Sequence, residues 1–313
     1  MGGKNKVIVT GGAGFIGSHL AEELLRQGYI VTIIDDLSTG RMENMQSLLS
    51  KSHVDFVSGS ITDLGLLRKL FKGACFVFHQ AALPSVPRSV ENPLSSHAVN
   101  VTGTLNVLLA ARDTGVKKVI FASSSSVYGD TPTLPKREEM IPSPRSPYAV
   151  TKLAAEHYCQ VFTQVYGLVT ACLRYFNVYG PRQNPDSQYA AVVPRFIKNI
   201  SGGEPPVIFG DGEQTRDFTF VRDVVAANIF AAEADVVGVF NIGSGVNTSI
   251  NELANLIIDI IGSDIKPIYR DFRLGDIRHS LADISKARTW GYEPKYNLRQ
   301  GLLETIKRFG HEN

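Results

Sequence analysis

Short runs of consecutive apolar residues alternate, through the first half of the chain, with longer stretches whose apolar positions recur every three or four residues. The short runs cover residues 6–10, 30–34, 54–57, 75–78, 118–122 and 169–173. They are continuous rather than alternating, the pattern expected of strands covered on both faces, as in a parallel sheet. Between them the spacing predicts helices over 14–26, 64–71, 99–114 and 148–166. In the last of these, Val150, Ala154, Val161 and Val165 mark the side expected to be buried. Strand–helix alternation of this kind predicts an α/β fold with a doubly wound parallel sheet.

After Asn177 the texture changes. Residues 180–217 are rich in Gly, Pro and polar side chains, with one helical stretch near 193–200. A helix over 221–232 and a strand over 237–242 follow, then helices over 250–261 and 298–309. The expected division is a nucleotide-binding domain, 1–176 and 217–248, and a smaller α/β domain, 177–216 and 249–313.

Composition narrows the function classes. The chain has 313 residues, 43% of them hydrophobic, enough for a full core. A net charge of +2 gives no electrostatic reason to expect nucleic acid or a membrane surface as partner. Cys75, Cys159 and Cys172 are odd in number and lack metal-ligand spacing, so neither a disulfide framework nor a metal site is expected, and a reducing cytoplasm fits. No signal-peptide core precedes the first strand, and no apolar run is long enough to span a bilayer.

Candidate chemistry starts at the first strand–helix junction. Gly11, Gly12, Gly14 and Gly17 sit in a Gly-Gly-Ala-Gly-Phe-Ile-Gly turn. Such a turn lets backbone approach a pyrophosphate at the positive end of a helix. Asp35 ends the second strand, where a carboxylate accepts hydrogen bonds from a ribose diol and repels a 2′-phosphate, which favours NAD over NADP. Arg41 nearby would soften that preference. Tyr148 and Lys152 are four apart and share a helix face. An ammonium there, with a positive nicotinamide ring, would favour phenolate and bring the phenol closer to neutral pH. Ser123 to Ser126 close a buried strand whose carboxyl end should border the ligand crevice.

Together with His79-Gln80-Ala81-Ala82, the segment from Arg174 to Gly180, Gly210-Asp211-Gly212, Arg216-Asp217-Phe218 and Gly275-Asp276, these motifs resemble the extended short-chain dehydrogenase/reductase family. The resemblance covers nearly the whole chain and implies a Rossmann-type fold. Within the family the chain looks like the UDP-hexose 4-epimerases. That implies Tyr148 as base, Lys152 tuning it and holding the nicotinamide ribose, Ser124 on the reacting oxygen and Ser125 as helper. It also assigns NAD to Gly11, Gly14, Phe15, Ile16, Gly17, Asp35, Asp36, Ser38, Thr39 and Gly40. Ser60, Ile61, Gln80, Ala81, Ala82, Asn100, Tyr175 and Val178 complete that set. Ser60 stands where many relatives carry an aspartate that reaches adenine.

For the UDP-sugar, the resemblance implies a diphosphate clamp of Arg216 and Arg273, with Asp276 on the uridine ribose and Asn177 near the sugar. Ala191, Val192, Val207 and Phe209 join the substrate set. Ser85 and Arg88 lie in a segment similar to that of N-acetylhexosamine epimerases. Ser280 stands where epimerases of plain hexoses have a tyrosine, so room for an acetamido group is expected. UDP-glucose 4-epimerase, UDP-glucuronate 4-epimerase and a non-catalytic dinucleotide sensor remain as alternatives. A homodimer is implied by the resemblance alone.

Overall fold

The computed structural model describes residues 5–186, 190–272 and 277–309. Arg273 and Asp276 therefore lie outside the described residues. Seven strands form one sheet: β1 (Lys6–Thr10), β2 (Ile30–Asp35), β3 (Val54–Ser58), β4 (Ala74–His79), β5 (Lys118–Ser124), β6 (Val169–Tyr175) and β7 (Gly238–Ile242). Their spatial order is β7-β6-β5-β4-β1-β2-β3, every neighbouring pair parallel. Helices on both faces bury the continuous apolar runs, one face around Val7, Val9, Leu20 and Phe240 and the other around Ile8, Val77, Val119 and Phe162. This is the Rossmann-type doubly wound sheet that the strand pattern predicts.

A third apolar cluster lies beyond the sheet, where Val193, Phe196 and Ile197 of the Val192–Ser201 helix meet Leu253 and Ile257 of the Ile250–Ile261 helix and Leu302. Ser249 and Glu252 form a reciprocal capping box that starts the second of these helices. The short helices Val86–Glu91 and Pro93–His97 and the strands Val207–Phe209 and Ile268–Arg270 were not readable from periodicity, being too brief to show a period.

Two expectations about helices need correcting. Residues Ala98–Gly103 form a π-helical turn ahead of the Thr104–Asp113 helix, so the 99–114 stretch is not one uniform α-helix. In the Pro147–Tyr166 helix, Val150, Val161 and Val165 are 52%, 45% and 65% exposed. The buried side carries Ala149, Lys152, Ala155, Glu156, Cys159 and Phe162. Glu156 tolerates burial because Arg174 donates to it from Nε and Nη2 at 2.9 and 2.7 Å and Ser123 Oγ donates as well.

His79 ends β4 in the core, with Nδ1 2.8 Å from Thr10 Oγ1 and Nε2 2.9 Å from Thr104 Oγ1. Burial, with a smaller push from Lys152, holds its imidazole down at about 3. Its folded value lies below the unfolded one, so its stabilising effect is complete above pH ~6.5 and is lost as pH falls toward the folded value. Chemical denaturation across that range is expected to show His79→Gln with a flatter acid slope, by about 1.4 kcal/mol per pH unit. Equal slopes in both proteins would show that the ring takes up a proton in the folded state.

Candidate active site

The glycine turn connects β1 to the Phe15–Arg26 helix and aims that helix's first N–H groups into a cleft of about 290 Å³. Gly11 has φ +71°, and a Cβ on it would lie 2.6 Å from Ala81 N; on Gly17 it would lie 2.2 Å from Gly11 O. Only glycine lets the turn and its neighbouring strand ends close this tightly. Phosphate chemistry follows from the helix's positive end and from the backbone exposed by the missing side chains.

Sixteen of the expected dinucleotide residues line this cleft: Gly11, Gly14, Phe15, Ile16, Gly17, Asp35, Asp36, Ser38, Thr39, Ile61, Gln80, Ala81, Ala82, Tyr148, Lys152 and Tyr175. Asp35 accepts from Ala13 N at 2.9 Å and Leu37 N at 2.8 Å, while burial raises its carboxyl above the usual carboxylate value. Gly40 packs against that carboxylate, where a Cβ would come within 2.8 Å of Oδ1. Ser123, from the serine run expected to border the crevice, lines the cleft as well, as do Ile34, Gly59, Pro84, Val99 and Ala122, which are neighbours of motif residues.

Four assignments fall outside this lining, Gly40 among them, which lines a separate surface hollow with Arg41 and Met42. Ser60 turns its hydroxyl toward Thr62, accepting from its N at 3.3 Å and from its Oγ1 at 3.0 Å, between the cleft residues Gly59 and Ile61. Asn100 is buried behind the wall, its amide bound to Leu83 and Thr151. Val178 lines a second cavity instead.

Tyr148 lies in the first turn of its helix, one turn before Lys152. Burial pushes the phenol up to about 12, and a hydrogen bond with Ser124 pulls the other way. Lys152 Nζ donates to Ala122 O at 2.8 Å and stands 5.9 Å from the Tyr148 ring centroid. Burial lowers it to about 8, against Glu156 one turn on. Among the protein groups burial outweighs the effect of Ser124, so the phenol stays protonated without the positive nicotinamide ring that the expectation includes. Ser124 Oγ also accepts from Ser126 N at 3.2 Å, and Ser125 sits half-buried beside it.

The second cavity, about 410 Å³, is lined by Asn177, Ala191, Val192, Val207, Phe209 and Arg216 of the expected substrate set. Arg195 and Gln214 line it too. Gln214 immediately precedes the Thr215-Arg216 pair and could have been found by reading outward from it. Ser85 caps the Val86–Glu91 helix by accepting from Arg88 N at 3.3 Å. Ser280 is not in the lining; it is buried with its N–H on Thr215 O at 3.1 Å, and Thr215 lies between the lining residues Gln214 and Arg216. Among the described residues no group of three or more His, Cys, Asp or Glu is placed to hold a metal ion, and no helix is long and apolar enough to cross a membrane.

Asp35→Ser removes the charged acceptor, and hydrogen bonds to charged groups contribute about 1.5–3 kcal/mol, so NAD affinity is expected to fall about tenfold to a hundredfold. NADP affinity is expected to rise as the repulsion disappears. Titration of the apoprotein with both dinucleotides measures the ratio, and an unchanged ratio would mean that Asp35 does not face the ribose.

Residues 7–243 match the NAD dependent epimerase/dehydratase family. The chain is 42% identical over 313 residues to the UDP-glucose 4-epimerase of Mycolicibacterium smegmatis, covering 98% of this chain and 99% of the relative. Its fold is similar to that of the UDP-N-acetylglucosamine 4-epimerase from Methanobrevibacter ruminantium in complex with UDP-N-acetylmuramic acid, with a TM-score of 0.96, 45% identity and 99% of each chain covered. It is also similar to the Thermus thermophilus UDP-glucose 4-epimerase in complex with NAD, with a TM-score of 0.89, 36% identity and 97% and 99% coverage. The chain belongs to the NAD-dependent epimerase/dehydratase family of extended short-chain dehydrogenases/reductases, and it is an isomerase that uses NAD.

Proposed function

We propose that the chain interconverts UDP-N-acetylglucosamine and UDP-N-acetylgalactosamine, and also accepts UDP-glucose and UDP-galactose, through a transient 4-keto sugar. The chain is an NAD-dependent UDP-sugar 4-epimerase. One observation carries the reading of the chemistry: a half-buried tyrosine, Tyr148, lies on the wall of the dinucleotide cleft, one helix turn before Lys152, with Ser124 acting to lower its pKa.

In this reading Tyr148 Oη takes the proton of the carbon-4 hydroxyl and later returns it, while Ser124 holds the reacting oxygen and Ser125 assists. Lys152 holds the nicotinamide ribose. The glycine turn and Asp35 would hold NAD, which would supply an acceptor for the carbon-4 hydride and a positive ring to offset the burial that keeps Tyr148 protonated. The ketone must present its other face before the return step, which inverts carbon 4. Arg216 and Arg273 clamp the diphosphate, a bidentate task suited to guanidinium. Asp276 takes the uridine ribose, Asn177, Ser85 and Arg88 approach the sugar, and Ala191, Val192, Val207 and Phe209 enclose the nucleotide.

The acetylated pair is favoured by the small residue Ser280, hydrogen-bonded to Thr215 next to the cavity wall, and by the similarity to the Methanobrevibacter protein. A plain-hexose preference is the second reading, favoured by the similarity to the Mycolicibacterium protein. A panel of UDP-sugars with product separation tests the choice. Interconversion of the acetylated pair is expected. Turnover of UDP-glucose or UDP-glucuronate without it would overturn the assignment.

The same proposal divides the chain into NAD-binding segments 1–176 and 217–248 and UDP-sugar-binding segments 177–216 and 249–313, and places it in the cytoplasm. It further makes the protein a homodimer. The stripe Val150, Tyr158, Val161 and Val165 on the Pro147–Tyr166 helix is exposed and apolar, and Leu94, on the adjacent short helix, is 82% exposed. A second copy would cover this stripe.

A further inference from the structure

We infer that Ser89 is a positioning residue for epimerisation, bolting the wall beside the sugar to the backbone of Tyr148. The inference rests on the reading of Tyr148 and of the second cavity proposed above. The segment after β4 runs past both cavities: Ala82 and Pro84 line the dinucleotide cleft, and Pro87 lines the second cavity. Between them Ser85 has φ +98°, a conformation that a residue with a side chain holds only where its surroundings enforce it.

Side-chain contacts enforce it from both ends. At one end, Asn100 Oδ1 accepts from Leu83 N at 2.8 Å, and its Nδ2 donates to Leu83 O at 3.2 Å and to Thr151 Oγ1 at 3.1 Å. At the other, Ser89 Oγ donates to Val86 O at 2.7 Å and accepts from Tyr148 N at 3.0 Å. Ser89 is fully buried. Tyr148 N belongs to a helix's first turn, where N–H groups have no partner within the helix. Ser146 serves Ala149 N, so Ser89 meets the Tyr148 N–H from a segment 59 residues away in sequence. The wall and the Pro147–Tyr166 helix are therefore linked at Tyr148 and at Thr151, the residue before Lys152.

Epimerisation gives this link a task. The carbon-4 hydroxyl proton passes to Tyr148 Oη, and the carbon-4 hydride, with its electron pair, passes to the dinucleotide, leaving a 4-ketone. If the ketone departs before hydride and proton return, the protein retains a reduced dinucleotide and a protonated Tyr148. A wall held in register with Tyr148 keeps the ketone in place while it turns over.

Ser89→Ala removes one hydroxyl and leaves every residue of the proposed chemistry intact. It is expected to lower kcat about tenfold with KM changed less than about twofold, since small misplacements cost rate more than binding. Reduced-nicotinamide absorbance is expected to build up with turnover in the variant and not in the wild type. A kcat within about twofold of wild type, or a lower kcat with no reduced dinucleotide, would overturn the inference and leave Ser89 a helix cap. If Ser89→Ala does not fold, Thr151→Val decides: it breaks the link at its other end by removing the acceptor of the Asn100 amide, and it leaves the proposed sugar contacts in place. A rise in the same absorbance supports the link, and no rise rejects it.

Discussion

Tyr148→Phe is expected to lose a factor of about 10² to 10⁴ in kcat while still binding NAD and UDP-sugar. The change removes one oxygen and keeps the ring, so the cleft wall stays as it is. What disappears is the group placed to take the proton and the partner of Ser124. The phenol's pKa of about 12 sharpens the expectation, because the protein groups favour the protonated form and the bound cofactor must offset them before proton removal begins. Activity of the wild type is therefore expected to rise with pH on the acidic side. Lys152→Ala is expected to lower both kcat and NAD affinity, since Lys152 lines the cleft one helix turn after Tyr148. Steady-state rates and a dinucleotide titration on both variants measure these effects, and near-normal turnover of Tyr148→Phe would exclude the mechanism.

Ser280→Tyr is expected to abolish turnover of the N-acetylated sugars, by more than about a hundredfold, and to spare the plain hexoses within a few-fold. Pockets reject oversized groups by steric clash more strongly than they reject undersized ones. Ser280 is buried against Thr215, so a tyrosine there must displace its neighbours toward the Gln214 and Arg216 side of the cavity wall. Rates on both substrate pairs, with a thermal melt to show that the variant folds, decide the point. If both activities fall together in a folded protein, Ser280 does not set the size limit.

Some of this was legible because one physical cause dominated. Strands buried on both faces must be continuous runs of apolar residues, and all seven strands of the main sheet start and end within two residues of where those runs suggest. The Gly11–Gly17 turn was legible because close backbone approach leaves room for no other residue. The buried face of the Pro147–Tyr166 helix was not. Periodicity treats Val as buried and Lys or Glu as solvated, yet Lys152 and Glu156 are buried through partners at Ala122, Ser123 and Arg174 that lie far off in sequence. The place of Asn100 was not legible for a related reason: a polar residue near a ligand cleft serves equally well facing the ligand or bracing the loop behind it, and its amide is bonded to Leu83 and Thr151. Ser89 carried no signal at all, since its value lies in meeting the Tyr148 N–H across the fold.

The central claim is reversible removal and return of the carbon-4 hydride on an acetylated UDP-sugar. UDP-N-acetylglucosamine deuterated at carbon 4, incubated with the protein in ordinary water, tests it most directly. The account predicts UDP-N-acetylgalactosamine that keeps the deuterium at carbon 4, approaching the same equilibrium from either sugar. No product, or product whose carbon-4 deuterium has been replaced from solvent, would contradict it.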